Sequence, residues 1–112
     1  MDLQKNNLPA KKILLFGAGK SATCLIDYLI KQAKHYHWHI VIADDNLELA
    51  QSKSAGSLNA AAVQVDVNDD EKRNAFIVRA DIVISMLPPA LHSLVAKSCV
   101  AAGRHLLTAS YV

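Results

Sequence analysis

The stretch that decides the fold is Ile13-Leu14-Leu15-Phe16-Gly17-Ala18-Gly19-Lys20-Ser21-Ala22, in which four apolar residues run directly into a glycine-rich turn. An uninterrupted apolar run that ends at glycine is typical of a strand buried on both faces of a sheet. Beyond the turn, apolar residues recur with the period of a helix that buries one face: Leu25, Ile26, Leu29, Ile30 and Ala33. The stretch therefore predicts a strand, a tight turn and a helix in direct succession.

The turn itself fits the G-x-G-x-x-G/A pattern that binds a dinucleotide when it joins a strand to a helix. Gly17 permits the tight turn, Gly19 lets the backbone approach a pyrophosphate, and Ala22 is small enough for the helix to pack against the strand. The helix N-terminus adds unpaired N–H donors for an anion. We therefore predict that six consecutive residues contact the cofactor: Gly17, Ala18, Gly19, Lys20, Ser21 and Ala22.

Two acidic residues follow the second predicted strand, His39-Ile40-Val41-Ile42-Ala43. Asp44 stands about 20 residues beyond the turn, where a carboxylate accepts hydrogen bonds from the adenosine ribose. Asp45 is adjacent, and two carboxylates repel the 2′-phosphate of NADP. The sequence thus predicts a dinucleotide cofactor, NAD in preference to NADP. The alternative is an α/β domain that binds no nucleotide, with Asp44 as a helix cap.

The rest of the chain continues the alternation of strands and helices. A short third strand, 62–65, precedes an N-cap and capping box at Asn68 and Glu71, from which a helix should run to about Arg79. A fourth strand, 81–87, is halted by Pro88-Pro89, and a helix from Leu91 to a Gly103 cap leads to a fifth strand, 105–109. Such alternation requires right-handed crossovers and a parallel sheet. We predict a Rossmann-type doubly wound α/β fold of three layers, with about five strands in the order 3-2-1-4-5.

Length and composition indicate one domain. The chain has 112 residues, of which 52% are hydrophobic and 20% charged, enough apolar side chains for a folded core. We expect a polar tail over residues 1–11 and the nucleotide-binding domain over 12–112. Twelve Lys and Arg against 10 Asp and Glu, without a basic run, argue against a nucleic-acid partner. Neither a membrane span nor a signal peptide is predicted, so the cytoplasm is the expected location.

Other nucleotide-site and catalytic motifs fail at particular positions. Gly19-Lys20-Ser21 resembles the end of an ATP-binding P-loop, but that loop needs a glycine where Leu14 stands. A reductase pair of Tyr and Lys four residues apart is missing, because Gln32 and Ile40 follow Tyr28 and Tyr36 at that spacing. These mismatches exclude an ATPase and a tyrosine-based reductase.

Histidines and cysteines suggest no metal site. His35, His37 and His39 alternate before the second strand, but no Cys or carboxylate cluster completes a metal site around them. We expect a solvated connection with Trp38 packed inward. Cys24 and Cys99 both fall at apolar-facing positions of predicted helices, so both are expected to be reduced core thiols.

Two later segments resemble the saccharopine dehydrogenase family. They are Ser85-Met86-Leu87-Pro88-Pro89 with His92, and Arg104-His105-Leu106-Leu107-Thr108-Ala109-Ser110-Tyr111-Val112. In that family a Ser-hydrophobic-hydrophobic-Pro loop borders the nicotinamide ribose, and a histidine-led strand ends in Thr-x-Ser-Tyr. The resemblance extends from about Lys11 to Val112. It implies that Asp66 and Val67 flank the adenine and that Leu87 and Pro88 touch the ribose linkage of the cofactor.

The resemblance further implies an NAD(P)-dependent oxidoreductase that makes or splits a secondary amine joining two amino acids. NADP-using members tend to place an arginine where this chain has Asp45. The family's catalytic and amino-acid-binding residues lie in a second domain beyond the equivalent of Val112, so no catalytic residue is expected here. Homospermidine and carboxynorspermidine synthases, which share the fold, are alternatives, and so is a regulatory module that senses NAD or another adenine nucleotide without catalysis.

A chain that ends after its fifth strand is expected to be part of a longer protein. Its strand 106–109 would then form an apolar sheet edge, and such edges invite pairing with another copy. A homodimer is therefore expected.

Overall fold

A computed structural model describes residues 11–54 and 56–108, so the predictions for residues 1–10 and 109–112 lie outside the described residues. The strands are β1 (Lys11–Phe16), β2 (Trp38–Asp44), β3 (Ala60–Gln64), β4 (Ile82–Ser85) and β5 (His105–Thr108). The α-helices are α1 (Thr23–Tyr36), α2 (Leu47–Ser54), α3 (Asp70–Ile77) and α4 (Pro89–Ala102), and a 3-10 turn (Lys20–Ala22) precedes α1.

All five strands form one parallel sheet in the order β3-β2-β1-β4-β5, which confirms the predicted topology. Phe16 at the end of β1 is in register with Ala43 of β2 and with Ser85 of β4. The carboxyl ends of these strands therefore lie level with one another. In open α/β sheets this is the edge at which ligands bind.

The core has two halves, one on each face of the sheet. Side chains of β1 alternate between them, with Leu15 in the half that contains Ile26 of α1 and Leu14 in the half that contains Val95 of α4. Ala50 of α2 joins the first half and Ile77 of α3 the second. The prediction of a strand buried on both faces, and of three layers, is thus confirmed.

The strands and helices begin and end within a few residues of the predicted positions. Strand β1 starts at Lys11, one residue before the predicted start of the domain. Strand β4 ends at Ser85, two residues before its predicted end. Helix α4 starts at Pro89, two residues before the expected Leu91, with Pro88 as its N-cap. Gly103 caps α4 in the left-handed conformation, as predicted.

The prediction of a core thiol is confirmed for Cys99 and wrong for Cys24. Cys99 is buried in α4, and burial raises the pKa of its thiol. Cys24 is exposed. It precedes the buried Ile26 by two positions, which turns its side chain about 200° away from the apolar face of α1.

The alternating histidines lie in three different places: His35 is in α1, His37 is the C-cap of α1, and His39 is in β2, so the predicted connection is a single residue. His37 has a left-handed φ of 63°, and Tyr36 stacks on Trp38 with ring centroids 5.3 Å apart. Trp38 packs partly against the core, and His35 is exposed. Among the described helices, none combines the length and apolar character that crossing a bilayer requires.

Strand β5 lies at an edge of the described sheet. Its Leu107 is 57% exposed. Pairing of two copies at this edge stays a prediction.

The start of α3 corrects a predicted cap. Asp69 is the N-cap, and its Oδ1 accepts the Lys72 N–H at 3.1 Å. Asn68, the predicted cap, instead donates its backbone N–H to Oδ1 of Asp66 at 2.9 Å. The Asp66 side chain thus forms a turn that delays the helix by one residue.

We predict that Asp69→Ala lowers the free energy of unfolding by about 1 kcal/mol, because it removes the acceptor for an N–H in the first turn of α3. Asn68→Ala is the matched control, since it lies one residue outside the cap. Urea denaturation compares the two variants. A larger loss in Asn68→Ala than in Asp69→Ala would contradict the observed cap.

Candidate dinucleotide site

The glycine turn connects β1 to the 3-10 turn before α1. Gly17 has a φ of 98°, a conformation that L side chains rarely adopt, and its N–H donates to the Ala43 carbonyl at 2.9 Å. A Cβ built on Gly17 would lie 3.4 Å from the Met86 backbone. The positive φ thus explains the first glycine, and Met86, the residue after β4, lies at contact distance from it.

Gly19 serves a different purpose. Its φ of −68° is open to any residue, and a Cβ added there would meet no heavy atom within 4 Å. Within the described part of the chain, the backbone N–H groups of Gly19, Lys20 and Ser21 have no hydrogen-bond acceptor, and all three residues are exposed. Open space beside free N–H groups at the start of a helix suits a phosphate group.

Ala22 closes the turn. It is buried and packs in the same half of the core as Ala18 and Ile26. A larger side chain would separate the start of α1 from the sheet, because protein interiors leave little free volume. The role predicted for a small residue at this position is therefore confirmed.

Asp44 connects the glycine turn to the end of β2. Its Oδ2 accepts the Ala18 N–H at 2.7 Å, and its Oδ1 accepts the Asn46 N–H at 2.9 Å. An ionised carboxylate has about four acceptor sites, so it can still accept ribose hydroxyls. The sequence predicted a ribose ligand here, and the structure adds that the same side chain holds the turn in place.

A cavity of about 110 Å³ opens at the carboxyl ends of the strands. Five predicted site residues line it together: Asp44, Asp45, Asp66, Val67 and Leu87. Five lining residues escaped prediction: Phe16, Ala43, Val65, Asn68 and Leu91. Ligands bind at the carboxyl ends of parallel strands, so the lining residues at or next to strand ends could have been predicted from that rule. Leu91 could not, because it reaches the cavity only through the packing of α4.

Pro88 is exposed and is not among the residues that line the cavity. Its carbonyl accepts the N–H groups of Leu91 and His92, at 3.0 and 2.9 Å, so it caps α4. Contact between Pro88 and a cofactor stays a prediction. His92 follows in the first turns of α4, and its buried Nδ1 has no hydrogen-bond partner among the described residues.

Two larger cavities lie elsewhere. One of about 410 Å³ is lined by residues of α3 and α4, including Asn74 and Ala101, and one of about 200 Å³ contains Lys12 and Phe76. Neither contains Asp44 or another of the acidic residues predicted to contact the cofactor. The smaller cavity at the carboxyl ends is therefore the candidate site.

Charge is distributed unevenly around this site. The cavity has three aspartates on its wall and no lysine or arginine. A hydrogen bond with Asp44 and the negative charge of Asp44 raise the pKa of Asp45, and the charge of Asp66 adds to the effect. Positive charge lies instead near the turn, where Lys53 Nζ donates to Thr23 Oγ1 at 2.6 Å. Among the described residues, no three or more His, Cys, Asp or Glu side chains are arranged so that they could hold a metal ion.

Comparison with known proteins places this geometry in a family. The family model for the saccharopine dehydrogenase NADP binding domain matches residues 13–112. The alpha-aminoadipic semialdehyde synthase of Arabidopsis thaliana is 30% identical, over 89% of this chain and 11% of that protein. The saccharopine dehydrogenase (NADP(+), L-glutamate-forming) of Pyricularia oryzae is 31% identical, over 94% of this chain and 22% of that protein.

Solved structures agree with these relatives. Apo saccharopine dehydrogenase (L-Glu forming) from Saccharomyces cerevisiae superposes with a TM-score of 0.80 at 30% identity, over 92% of this chain and 22% of that one. A short-chain dehydrogenase/reductase from Veillonella parvula in complex with NADP, at 14% identity and a TM-score of 0.69, shares the fold alone. The chain thus spans less than a quarter of the saccharopine dehydrogenases it matches.

The two glycines of the turn should respond differently to alanine. Gly17→Ala should lower the free energy of unfolding by more than about 1 kcal/mol, because alanine is strained at a positive φ. Gly19→Ala should leave stability nearly unchanged, since its φ suits alanine and its surroundings are open. Urea denaturation measures both. Equal losses in the two variants would show that the turn has another conformation.

Asp45 should make stability depend on pH. Because its pKa in the folded chain lies above the ordinary value of 3.8, the stability linked to its protonation is present at low pH and is lost as pH rises through the folded pKa. Asp45→Asn should therefore raise the urea midpoint at pH 7, and the gain should shrink towards pH 4. Asp27→Asn, an exposed carboxylate of α1, controls for net charge. A gain that is independent of pH would contradict the coupling to Asp44.

Proposed function

We propose a function from two facts, the first of which is that this chain belongs to the family of saccharopine dehydrogenase NADP-binding domains. The proposed function is to hold the dinucleotide of an oxidoreductase that acts on a secondary amine joining two amino acids. The observation that carries the proposal is the position of Asp44. Its carboxylate holds the glycine turn through Ala18 and also lines the cavity at the strand ends. Phosphate-binding and ribose-binding groups are thereby joined in one site.

Each part of the site suits one part of a dinucleotide. The free N–H groups of Gly19, Lys20 and Ser21 would hold the pyrophosphate, and the helix dipole of α1 would add to the attraction. Asp44 would accept the adenosine ribose hydroxyls. The adenine would occupy the cavity beside Asp66 and Val67, which both line it. When bound, the nicotinamide supplies the hydride chemistry, and residues of this chain bind and orient it.

We propose further that the chain prefers NAD, although the saccharopine dehydrogenases named above are NADP(+) enzymes. A 2′-phosphate would bring about two negative charges next to Asp44 and Asp45. Two like charges about 4 Å apart repel by roughly 1 kcal/mol in water and about 4 kcal/mol at an effective dielectric of 20. Lys20, in the turn, lies nearer the pyrophosphate than the ribose by the geometry of the motif. Discrimination of tenfold or more is expected.

The activity of the whole protein is part of this proposal. The relatives are several times longer than the matched region, and we infer that their additional length supplies the amino-acid site and the catalytic groups. The division into a tail and a domain, the homodimer and the cytoplasmic location stay predictions.

Calorimetric titration at low salt, where charge effects are largest, tests both parts of the proposal. NADH and ADP-ribose should bind, and NADPH should bind at least tenfold more weakly. Asp45→Arg should shift the preference towards NADPH while leaving the Asp44 bond to Ala18 intact. Asp27→Arg makes the same change of charge on the exposed face of α1 and should leave the preference unchanged.

Two results would contradict the proposal in different ways. Failure of NADH and ADP-ribose to bind at millimolar concentration would refute the dinucleotide site. Equal affinity for NADH and NADPH would refute only the preference, and would mean that Asp45 does not face the ribose.

A further inference from the structure

Arg73 of α3 is a buried cation outside the cavity. It is 5% exposed, whereas arginine is rarely buried unless its guanidinium is paired. Its carboxylate partner, Asp70, is 2.8 Å away, but the Asp70 side chain is 78% exposed. A solvated ion pair contributes little by itself, so the other contacts of Arg73 matter more.

Two of those contacts link a residue of the cavity to α4. Arg73 Nε donates to Ser98 Oγ of α4 at 2.9 Å, and Nη1 donates to the Val67 carbonyl. Val67, on the segment between β3 and α3, lines the cavity, and so does Leu91 of α4, whereas Ser98 does not. One rigid guanidinium therefore connects the segment that contains Val67 to the helix that contains Leu91.

We propose that Arg73 is a positioning residue for the adenine end of the site, an inference that rests on the proposed function. Arg73 holds the Val67 carbonyl at a set distance from α4 and so fixes the width of the cavity. Charged donors make strong hydrogen bonds, and the planar guanidinium directs two of them at fixed angles. Lysine has a single ammonium and cannot reproduce this geometry.

The alternative is a tie between α3 and α4 that does not influence the cavity. The hydrogen bond from Arg73 to Ser98 joins these helices beside the separate 410 Å³ cavity that Ser98 lines. Loss of Arg73 would therefore loosen their packing in either case. The two explanations differ in one respect. A positioning residue affects binding of adenine ligands by folded protein, whereas a tie affects only the folded fraction.

The experiment uses the whole chain with Arg73→Met, Arg73→Lys and Ser98→Ala, and with Asp70→Asn as the matched control. Calorimetry measures the Kd for ADP-ribose, and NMR titration measures the Kd for inorganic pyrophosphate, which probes the glycine turn alone. Urea unfolding at the temperature of the binding measurements establishes that each variant is folded there. If Arg73→Met does not fold, Arg73→Lys and Ser98→Ala decide the question.

We expect Arg73→Met to weaken ADP-ribose binding at least fivefold, with a smaller loss in Arg73→Lys and Ser98→Ala. Pyrophosphate binding should stay unchanged in all variants, and Asp70→Asn should bind both ligands as the unmodified chain does. Unchanged ADP-ribose affinity in the Arg73 and Ser98 variants, or an equal loss for pyrophosphate, would overturn the inference.

Amide hydrogen exchange separates this inference from the proposed function. Residues 65–68 should exchange faster in Arg73→Met, or in Ser98→Ala where Met does not fold, while residues 17–22 keep their rate. If the unmodified chain fails to bind ADP-ribose, the proposed function fails, and exchange alone decides whether Arg73 holds the segment. Unchanged exchange at 65–68 would then overturn the inference.

Discussion

The hydrogen bond from the Ala18 N–H to the Asp44 carboxylate connects the two features on which the site depends. The first feature is the glycine turn, which positions the free N–H groups that precede α1. The second is the carboxyl end of β2, which positions the Asp44 carboxylate beside that turn. A charge-assisted hydrogen bond in a partly buried position is stronger than a neutral one. The bond therefore holds the glycine turn and the carboxyl end of β2 in a fixed relation.

The parallel sheet makes this arrangement possible. Gly17 must pass close to Met86 on one side while its N–H reaches Ala43 on the other, and only the register of β1 with both neighbours brings these groups together. The same register sets the ends of the strands level. The aspartates that follow β2 and β3 consequently meet around one small cavity, although they are far apart along the chain.

Charge divides the site into two ends. The turn has free N–H groups and a nearby lysine, which attract phosphate, while the cavity is bordered by aspartates, which accept hydrogen bonds and repel phosphate. Hydrogen bonds to Val67 and Ser98 offset the free-energy cost of burying the Arg73 guanidinium. Arg73 does not line the cavity, so it acts on the structure without adding charge to the cavity wall.

Local sequence determined the order of strands and helices, the glycine turn and the acidic strand end, because apolar periodicity and glycine conformation act over a few residues. It also indicated five of the ten residues that line the cavity at the strand ends. Two errors were also local: the Asp66 turn makes Asp69 rather than Asn68 the cap of α3, and helical spacing from Ile26 turns Cys24 towards solvent. Tertiary structure alone decided that Leu91 reaches the cavity and that Arg73 links Val67 to Ser98 of α4. These two outcomes depend on contacts between different elements of the fold, which no local pattern encodes.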